Sequence, residues 1–501
     1  MLDLNDILKD IDISRVVQEN LHQPQPSSRQ WEEGRAKDIT FIVTKDCQLA
    51  CRYCYEVGKN SSERMTWDIA KAAVNFLLSD KSMAAEYPSA VFDFIGGEPL
   101  LEIDLIDRTC DYLKTEMFRR NHPWFDSYRI TMSTNGISYH EPKVQRFIEK
   151  NHSHLDIGIS IDGTRRKHDT NRIYKGSGRG SYDDVARNIP LWLQQFPGCG
   201  TKVTVSHADL PYVKESVMHL FSLGIRTVNI NCVFENVWQE GDDTLFEEQL
   251  RQLADAIIDG GYDKDYECSF FNQWIGHPLP HSDNQNWCGA GKMLAIDASG
   301  NLYPCLRFSK FSLRNKPAWV LGTLRDGIDP EKLAPFLKLD RLSQSTQQCI
   351  DCEVASGCAW CQAENYDCSP NGSLFHRSTA ICRMHKARVR ANQYYWEKLH
   401  GLNKPTRHGQ PNRIGRVNHD ECEKIRLLNE RKNGLEELTK IITSDSGELY
   451  DRLVDDKELT EHRYQQWWDD MAEKYHWDGA AGASWTVDFT TGEVFLSPNT
   501  R

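Results

Sequence analysis

The sequence lacks any apolar run that approaches the roughly 18 residues a membrane span requires. Its first residues are acidic and amphipathic, without a basic segment followed by an apolar one, so we do not expect a secretory signal. Basic residues are also in deficit, because 60 Lys and Arg stand against 72 Asp and Glu, for a net charge of −12. Such a balance disfavours nucleic acid as the main partner. These absences predict a cytoplasmic globular protein that binds neither membranes nor nucleic acid.

What the sequence has in excess is cysteine, with 16 among 501 residues. A disulfide framework is typical of small secreted domains, whereas this chain is long and has no expected signal. Several cysteines are separated by only two or three residues, which is typical of metal–thiolate sites. We therefore predict that the clustered cysteines bind metal rather than form disulfides.

A regular alternation of strands and helices begins near Asp38. Apolar, β-branched runs predict six strands, at Ile39–Thr44, Val91–Ile95, Arg129–Ser133, Leu155–Ile161, Lys202–Ser206 and Val228–Phe234. A helical pattern follows each of them, at Trp67–Leu78, Leu105–Phe118, Pro142–Glu149, Tyr182–Trp192, Val213–Leu223 and Thr244–Ile258. Six such units predict an α/β fold whose parallel sheet is buried on both faces and falls short of a closed eight-fold barrel. In such folds the chemistry lies at the C-terminal ends of the strands.

Composition divides the chain into five predicted units. They are an N-terminal arm and linker at 1–36, the α/β domain at 37–260, a cysteine-rich segment with a C-terminal helix at 261–400, a linker at 401–418 and a small α+β unit at 419–501. The cysteine-rich segment shows few strand or helix signals, so we expect metal binding to help it fold. In the last unit, a helix rich in Trp and Tyr precedes a hairpin predicted over 485–496.

Three cysteines, Cys47, Cys51 and Cys54, come directly after the first predicted strand. Three thiolates bind three irons of a [4Fe–4S] cluster and leave the fourth iron open to a small-molecule ligand. A zinc knuckle, the alternative, needs a fourth Cys or His nearby, and none lies within twenty residues of Cys54. The spacing therefore predicts an iron–sulfur cluster with an open iron at the end of the first strand.

Further motifs follow the next three strands in order. Gly96-Gly97-Glu98-Pro99 ends the second strand, Ser133-Thr134-Asn135-Gly136 the third and Ser160-Ile161-Asp162-Gly163 the fourth, and Arg172 lies twelve residues after Ser160. Together with the cysteine motif, they resemble the radical S-adenosylmethionine (SAM) superfamily, whose fold is a partial (βα)6 barrel. The resemblance implies that the cluster on the three cysteines binds and cleaves SAM to start radical chemistry.

The resemblance also assigns roles to the motif residues. It implies SAM binding by Tyr53, Gly96, Gly97, Glu98, Ser133, Asn135, Ser160 and Arg172. In the family, the Gly-Gly-Glu segment holds the amino group of SAM, and the Ser-Thr-Asn segment lies near its ribose. A Ser and an Arg at the spacing of Ser160 and Arg172 hold the carboxylate or the ribose, and the tyrosine before the third cysteine contacts the adenine. No catalytic residue beyond the SAM cluster is assigned.

Eight cysteines form a second system in the cysteine-rich segment. They are Cys288, Cys305, Cys349, Cys352, Cys358, Cys361, Cys368 and Cys382. Two [4Fe–4S] clusters take eight thiolates at full ligation, and structural zinc ions are the alternative. The arrangement resembles the SPASM domain, which carries two auxiliary clusters in peptide-modifying radical SAM enzymes. The implied cofactors are therefore SAM and three [4Fe–4S] clusters, one that binds SAM and two auxiliary ones.

The SPASM resemblance divides the eight cysteines between the two auxiliary clusters. It implies that the distal cluster is bound by Cys349, Cys352, Cys358 and Cys382, and the nearer one by Cys288, Cys305 and one or both of Cys361 and Cys368. The spacing departs from the commonest pattern, because two residues rather than three precede Cys361, so the roles of Cys361 and Cys368 stay open. If only one of them is a ligand, the nearer cluster has an open iron.

Two enzymatic reactions compete for this chain. Its cysteine-rich stretch resembles maturases of ribosomally made Cys-rich peptides, of the sactipeptide or ranthipeptide type, which join a Cys sulfur to a carbon as a thioether. More distantly it resembles the anaerobic sulfatase maturases, which oxidise a Cys or Ser to formylglycine with an Asp base directly after the Cys of a Gly-x4-Cys motif. Here Cys305 is followed by Leu306 and Arg307, so that base is missing. We therefore favour thioether formation over formylglycine and over carbon–carbon crosslinks.

The remaining expectations concern partners. A non-enzymatic iron–sulfur carrier or scaffold would account for the cysteines but not for the SAM motifs. The enzymatic interpretation implies a precursor peptide with a leader and an electron donor such as flavodoxin or ferredoxin. We expect residues 419–501 to help bind the precursor through the Trp-rich helix and a strand edge of the hairpin. Alternatively, these aromatic residues form the core of that unit.

Overall fold

The computed structural model of the chain describes residues 36–57, 61–79, 81–401, 413–477 and 483–498. The predicted N-terminal arm lies outside these residues, apart from Ala36, which begins the first strand. The strands are β1 Ala36–Thr44, β2 Ser89–Gly96, β3 Tyr128–Thr134, β4 Leu155–Ile159, β5 Thr201–Val205, β6 Thr227–Cys232, β7 Glu267–Cys268, β8 Leu294–Ile296, β9 Asn301–Tyr303, β10 Gly322–Thr323, β11 Gly327–Ile328, β12 Arg413–Arg416, β13 Ala483–Val487 and β14 Glu493–Pro498.

The α-helices alternate with the strands through the first half of the chain. They are α1 Trp67–Ser79, α2 Lys81–Glu86, α3 Ile103–Arg119, α4 Pro142–Asn151, α5 Arg165–Asn171, α6 Tyr182–Ala186, α7 Ile189–Gln195, α8 Val213–Ser222, α9 Asp242–Asp259, α10 Pro330–Leu337, α11 Arg341–Gln344, α12 Gln347–Ile350, α13 Gln362–Cys368, α14 Cys382–Gly401, α15 His419–Thr439 and α16 Glu448–Tyr475. Each predicted strand and helix of the α/β domain is present to within a few residues. One predicted helix, over 182–192, is two helices, because Pro190 lacks the N–H that a continuous helix needs.

The first four strands form the parallel half of the barrel, in the order β1-β2-β3-β4. Ile39 pairs with Phe92, and Phe92 with Ile130, so the apolar residues of neighbouring strands lie side by side. On the other side of β1, the cysteine-rich segment adds β8 in parallel, with Ile39 opposite Leu294, and then β9 to β11 in antiparallel order. The cysteine-rich segment thus extends the sheet from the strand that leads into Cys47.

The predicted six-stranded parallel sheet is divided between β4 and β5. The described strands form one sheet that ends at β4 and a second of β5, β6 and β7, also parallel. Between them, the Thr201 hydroxyl donates to the Ile159 carbonyl oxygen at 2.6 Å and accepts from the Ile161 amide at 3.3 Å. A side chain therefore replaces the backbone ladder at this junction. With this change, the fold is the predicted partial (βα)6 barrel, extended into a mixed sheet.

The C-terminal unit packs against the end of the barrel where the strands begin. Residues 413–416, within the predicted linker, form the edge strand β12, and the predicted hairpin is present as β13 and β14. Helix α15 inserts Leu435 and Leu438 into the main core beside helix α3 and the start of β3. The strand ends that the sequence associates with chemistry lie at the opposite end of the sheet.

The aromatic residues in the second half of α16 pack in the core of the C-terminal unit itself. Trp467 and Trp468 are buried with Trp477 and Val494, as the alternative interpretation of this helix predicts. These two indoles are therefore not available as a docking face, and a role of this unit in peptide binding stays a prediction. Within the part of the chain that the structure describes, no helix combines the length and the apolar character that a membrane crossing requires.

Candidate active site

A cavity of about 290 Å³ lies at the C-terminal ends of the first barrel strands. Its wall contains every cysteine predicted to hold the SAM cluster and every residue predicted to bind SAM, namely Cys47, Cys51, Cys54, Tyr53, Gly96, Gly97, Glu98, Ser133, Asn135, Ser160 and Arg172. The fold therefore brings residues from four separate strand ends around one space.

The Gly-Gly pair at the end of β2 fixes the start of the cysteine loop. The Gly97 amide donates to the Thr44 carbonyl oxygen at 3.0 Å, and the Glu98 amide donates to the Asp46 carbonyl oxygen at 2.8 Å. A Cβ atom on Gly96 would overlap the Thr44 carbonyl oxygen, and one on Gly97 would overlap that of Asp46. These glycines are needed because two backbones approach closely there.

The segment that follows α5 holds the other side of the cysteine loop. The Ala50 amide donates to the Ile173 carbonyl oxygen at 2.8 Å, and the Lys175 amide donates to that of Gln48 at 2.9 Å. The Asn135 side-chain amide also donates to the Gln48 side chain at 3.0 Å. Backbone and side-chain hydrogen bonds thus hold the cysteine loop on this side.

Glu98 joins the ends of β2 and β3. Its carboxylate accepts from the Thr134 hydroxyl at 2.6 Å, the Asn135 amide at 2.7 Å and the Leu100 amide at 3.1 Å. The side chain is almost completely buried, and both of its oxygens are used by the chain itself. The structure therefore gives Glu98 a positioning role, and its contact with the SAM amino group stays a prediction.

Asp162 is a site residue to which the sequence assigned no role, although it stands in the Ser-Ile-Asp-Gly motif. Its carboxylate accepts from Arg172 Nε at 2.9 Å and from the Thr204 amide at 3.2 Å, and it also accepts a hydrogen bond from the Tyr53 hydroxyl. The Arg172 guanidinium lies 5.6 Å from the centre of the Tyr53 ring. One buried carboxylate thus orients two of the predicted SAM residues.

The charges of this group are mutually stabilised. Burial by itself would raise the pKa of the Asp162 carboxyl, but Arg172, Lys167 and His168 outweigh it and hold that pKa well below its usual range. Burial would lower the pKa of Arg172, and the Asp162 carboxylate more than compensates. Both side chains therefore stay charged at neutral pH.

The residues on the wall fit an iron–sulfur cluster with bound SAM. The three thiols come from one short loop and can each take a different iron of a cluster, whereas a single metal ion needs its ligands closer together. Among the described residues, no group of three or more His, Cys, Asp or Glu side chains is arranged to hold a single metal ion. Hydroxyl, amide and guanidinium groups from Ser160, Asn135 and Arg172 complete a wall that suits the carboxylate and ribose of SAM.

The auxiliary cysteines form two groups. Burial, together with the neighbouring Cys288 and Cys361 thiols, raises the pKa of the Cys305 thiol, and we call these three cysteines the near group. Burial, together with the neighbouring Cys349 thiol, raises the pKa of Cys382 and of Cys358, and Cys352 also raises that of Cys382. We call these four cysteines the distal group. The two groups match the division that the SPASM resemblance implies.

Cys368 lies at the opposite end of helix α13 from Cys361. It is exposed at the end of α13, with its Sγ 3.6 Å from the Asn365 carbonyl oxygen, and its electrostatic neighbours are Glu364 and Asp367. Cys361 caps the other end of the same helix, so the two cysteines are separated by about 10 Å along the helix axis. This geometry favours Cys361 over Cys368 as the ligand in the near group.

Arg307 connects the cavity with the near group. It lines the cavity, forms an ion pair with Glu235, and its Nη1 lies 3.3 Å from Cys361 Sγ. The guanidinium also lies 4.8 Å from the centre of the Tyr55 ring. From the sequence, Arg307 was noted only because no Asp base follows Cys305, and Glu235 was not identified at all. No sequence motif joins Glu235 and Arg307, because they come from separate parts of the chain.

Comparison with known proteins agrees with these features. Residues 41–234 match the family model of the radical SAM superfamily. The chain is 29% identical over 198 residues to an uncharacterized protein of Methanocaldococcus jannaschii, covering 39% of this chain and 63% of that protein. It is 21% identical over 346 residues to the serine-type anaerobic sulfatase-maturating enzyme of Bacteroides thetaiotaomicron, covering 62% of this chain and 78% of that enzyme.

Among solved structures, native anSMEcpe with bound AdoMet and the Kp18Cys peptide has a similar fold. The match has a TM-score of 0.53 at 16% sequence identity and covers 73% of this chain and 99% of that one. The chain spans less than two thirds of the length of the Methanocaldococcus jannaschii protein. SAM and several [4Fe–4S] clusters are the cofactors of this architecture. The chain carries a radical SAM domain at residues 41–234, and its sequence and fold resemble those of the SPASM-type radical SAM maturases.

Proposed function

We propose that this chain is a radical SAM maturase that forms thioether crosslinks, from a Cys sulfur to a carbon, in a ribosomally made Cys-rich precursor peptide. When bound, the SAM cluster supplies the 5′-deoxyadenosyl radical that abstracts hydrogen, and the auxiliary clusters supply an acceptor for the electron that an oxidised product releases. The name of the sulfatase-maturating relative and the peptide in the anSMEcpe structure support a peptide or protein substrate.

The observation that carries this proposal is the near group beside the SAM cavity. It contains three cysteines, and Arg307 reaches from the cavity wall to one of them. Three thiolates leave one iron of a [4Fe–4S] cluster without a protein ligand. An open iron next to the cavity is suited to holding the thiolate of a substrate cysteine, which is the sulfur that a thioether requires.

The position after Cys305 supports the same reaction over formylglycine formation. Leu306 and Arg307 begin a short 3-10 helix there, and neither side chain can accept a proton at neutral pH. In an Asp-dependent oxidation, the base must lie within hydrogen-bond reach of the substrate group. The chain therefore lacks, at that position, the base that the sulfatase maturases use.

Mass spectrometry of the co-expressed peptide tests the proposal. We expect the candidate Cys-rich precursor to lose the mass of two hydrogens per crosslink and to lose one alkylatable thiol with each. A carbon–carbon crosslink or the oxidation of a serine also removes two hydrogens but leaves all thiols free for iodoacetamide. Tandem fragmentation that finds the sulfur-linked pair supports the thioether, and a modified peptide with every thiol still alkylated contradicts it.

A matched pair of cysteine variants tests the composition of the near group. We expect Cys361→Ser to lose one auxiliary cluster, because its thiol lies among the near group, and Cys368→Ser to retain both. Iron and sulfide analysis with EPR of the reconstituted variants measures this. Equal iron loss in the two variants would show that Cys368 is also a ligand and would remove the open iron from the proposal.

The remaining parts of the proposal concern the surroundings of the enzyme. We propose a cytoplasmic location, because thiolate clusters need a reducing compartment. A flavodoxin or ferredoxin is the proposed donor of the electron that cleaves SAM. Reconstituted protein that makes no 5′-deoxyadenosine with dithionite and SAM would contradict the enzymatic interpretation altogether.

A further inference from the structure

Glu235 and Arg307 form a charged pair on the cavity wall that no SAM or cluster role accounts for. Glu235 lies just beyond the end of β6, and Arg307 lies two residues after Cys305. Their side chains are 11% and 17% exposed, so the pair is largely withdrawn from bulk water while both residues still line the cavity. A charged pair at such a place is a candidate for chemistry.

The surroundings of the pair combine charge and sulfur. Arg307 faces Glu235, the Cys361 thiol and the ring of Tyr55, and Glu364 on α13 interacts electrostatically with both members of the pair. Burial, together with the charge of Glu235, raises the pKa of Glu364, and Arg307 opposes this effect. A guanidinium in this position favours a nearby thiolate, because opposite charges a few ångströms apart stabilise each other.

Thioether formation needs a proton acceptor at this end of the cavity. The carbon–hydrogen bond and the sulfur–hydrogen bond break, and a carbon–sulfur bond forms. The hydrogen atom from carbon leaves in 5′-deoxyadenosine, one electron leaves to an iron–sulfur acceptor, and the sulfur proton must go to a base. Leu306 supplies none, and Asp162 does not line the cavity. The carboxylates on the cavity wall are Glu56, Glu98 and Glu235, and both oxygens of Glu98 already accept hydrogen bonds from the chain.

We propose that Glu235 accepts the proton of the substrate nucleophile, and that Arg307 is a positioning residue that holds the Glu235 carboxylate beside the near group. This inference rests on the proposed function. Of the carboxylates on the cavity wall, Glu235 is the one linked to a near-group cysteine through a shared guanidinium. It therefore lies where the substrate sulfur would approach an open iron.

Glu235→Gln tests the proposal, because the amide keeps the size of the side chain and an oxygen for Arg307 but loses the basicity. With holoenzyme, SAM, dithionite and the precursor peptide, we expect 5′-deoxyadenosine formation to continue. The ratio of crosslinked peptide to 5′-deoxyadenosine should fall by about a hundredfold, in the range of a lost general base. Raising the pH should partly restore the variant, because the thiol then ionises without help, and Glu235→Asp should retain part of the ratio.

Two further measurements separate catalysis from structure. Glu364→Gln is the matched control, since that carboxylate is near Arg307 but does not line the cavity, and its ratio should stay within about twofold of wild type. Fluorescence anisotropy should show unchanged affinity of Glu235→Gln for a labelled precursor peptide. An unchanged ratio in Glu235→Gln, an equal fall in Glu364→Gln or a matching loss of peptide affinity would overturn the proposal. The identity of the wild-type product tests the proposed function, so the role of Glu235 and the proposed function can fail independently.

Discussion

Asp162→Asn is expected to lower the free energy of unfolding by roughly 3–5 kcal/mol, which is the usual effect of breaking a buried ion pair by removing one partner. The Asp162 carboxylate is completely buried and holds Arg172 and Tyr53. The neutral amide leaves the guanidinium without a counter-charge in a buried place. Production of 5′-deoxyadenosine should also fall, because Arg172 and Tyr53, which Asp162 holds, both line the cavity. Chemical denaturation and SAM turnover measure the two effects.

A double variant separates folding from SAM binding at this site. Asp162→Asn combined with Arg172→Met removes both charges, so no unpaired charge stays buried, and we expect most of the lost stability to return. SAM turnover should not return, since the predicted ligand of the SAM carboxylate or ribose is gone. Arg165→Gln, in an exposed pair with Asp183, is the control and should change neither measurement appreciably. If the double variant regained turnover, Arg172 would have no direct role toward SAM.

The second large effect is expected where helix α15 meets the barrel. Lys114 and Glu437 are joined at 3.2 Å with almost no exposure of either side chain, and Arg129 holds Glu430 with two hydrogen bonds of 2.6 and 2.7 Å. Glu437→Ala would leave the Lys114 ammonium buried without its partner. We expect a loss of roughly 3–5 kcal/mol of stability and a lower melting temperature. Retention of wild-type stability would show that Asn151, which also accepts from Lys114, is a sufficient partner.

The same interface should make stability depend on pH on both sides of an optimum. Burial would raise the pKa of Glu430 and Glu437, but Arg129, His154 and Lys114 bring each of these pKa values to about 2. Their contribution is present above the unfolded value of about 4.3 and is lost as the pH falls toward 2. The pKa of His154 is raised by the same two carboxylates, against the effect of burial. Its contribution is complete below about pH 6.5 and is lost as the pH rises through the raised value.

We therefore expect the greatest stability between about pH 4.5 and 6.5, with a decrease at higher pH that depends on His154. Thermal unfolding across this range measures the optimum. The His154→Gln variant should lose the decrease on the alkaline side while keeping the one on the acidic side. An unchanged alkaline decrease would assign that effect to another group.

The sequence by itself determined the elements and the chemistry that they carry. Apolar, β-branched runs predicted all six barrel strands, and a period of 3.6 predicted the helices between them, because such patterns are local properties of the sequence. The motifs after β1 to β4 could be placed at one end of the sheet, because the C-terminal ends of parallel strands lie at the same edge. Cys47, Cys51 and Cys54 needed only their own spacing to indicate a cluster with an open iron.

The tertiary structure decided which of these residues act on one another. It joined Glu235 to Arg307 and Glu430 to Arg129, pairs that are 72 and 301 residues apart. It placed Cys361 in the near group and Cys368 at the far end of helix α13, although the two cysteines are only seven positions apart in the sequence. It also buried Trp467 and Trp468 in the core of their own unit, at the end of the barrel away from the SAM cavity. Such pairings depend on how distant segments pack, and neither periodicity nor motif spacing carries that information.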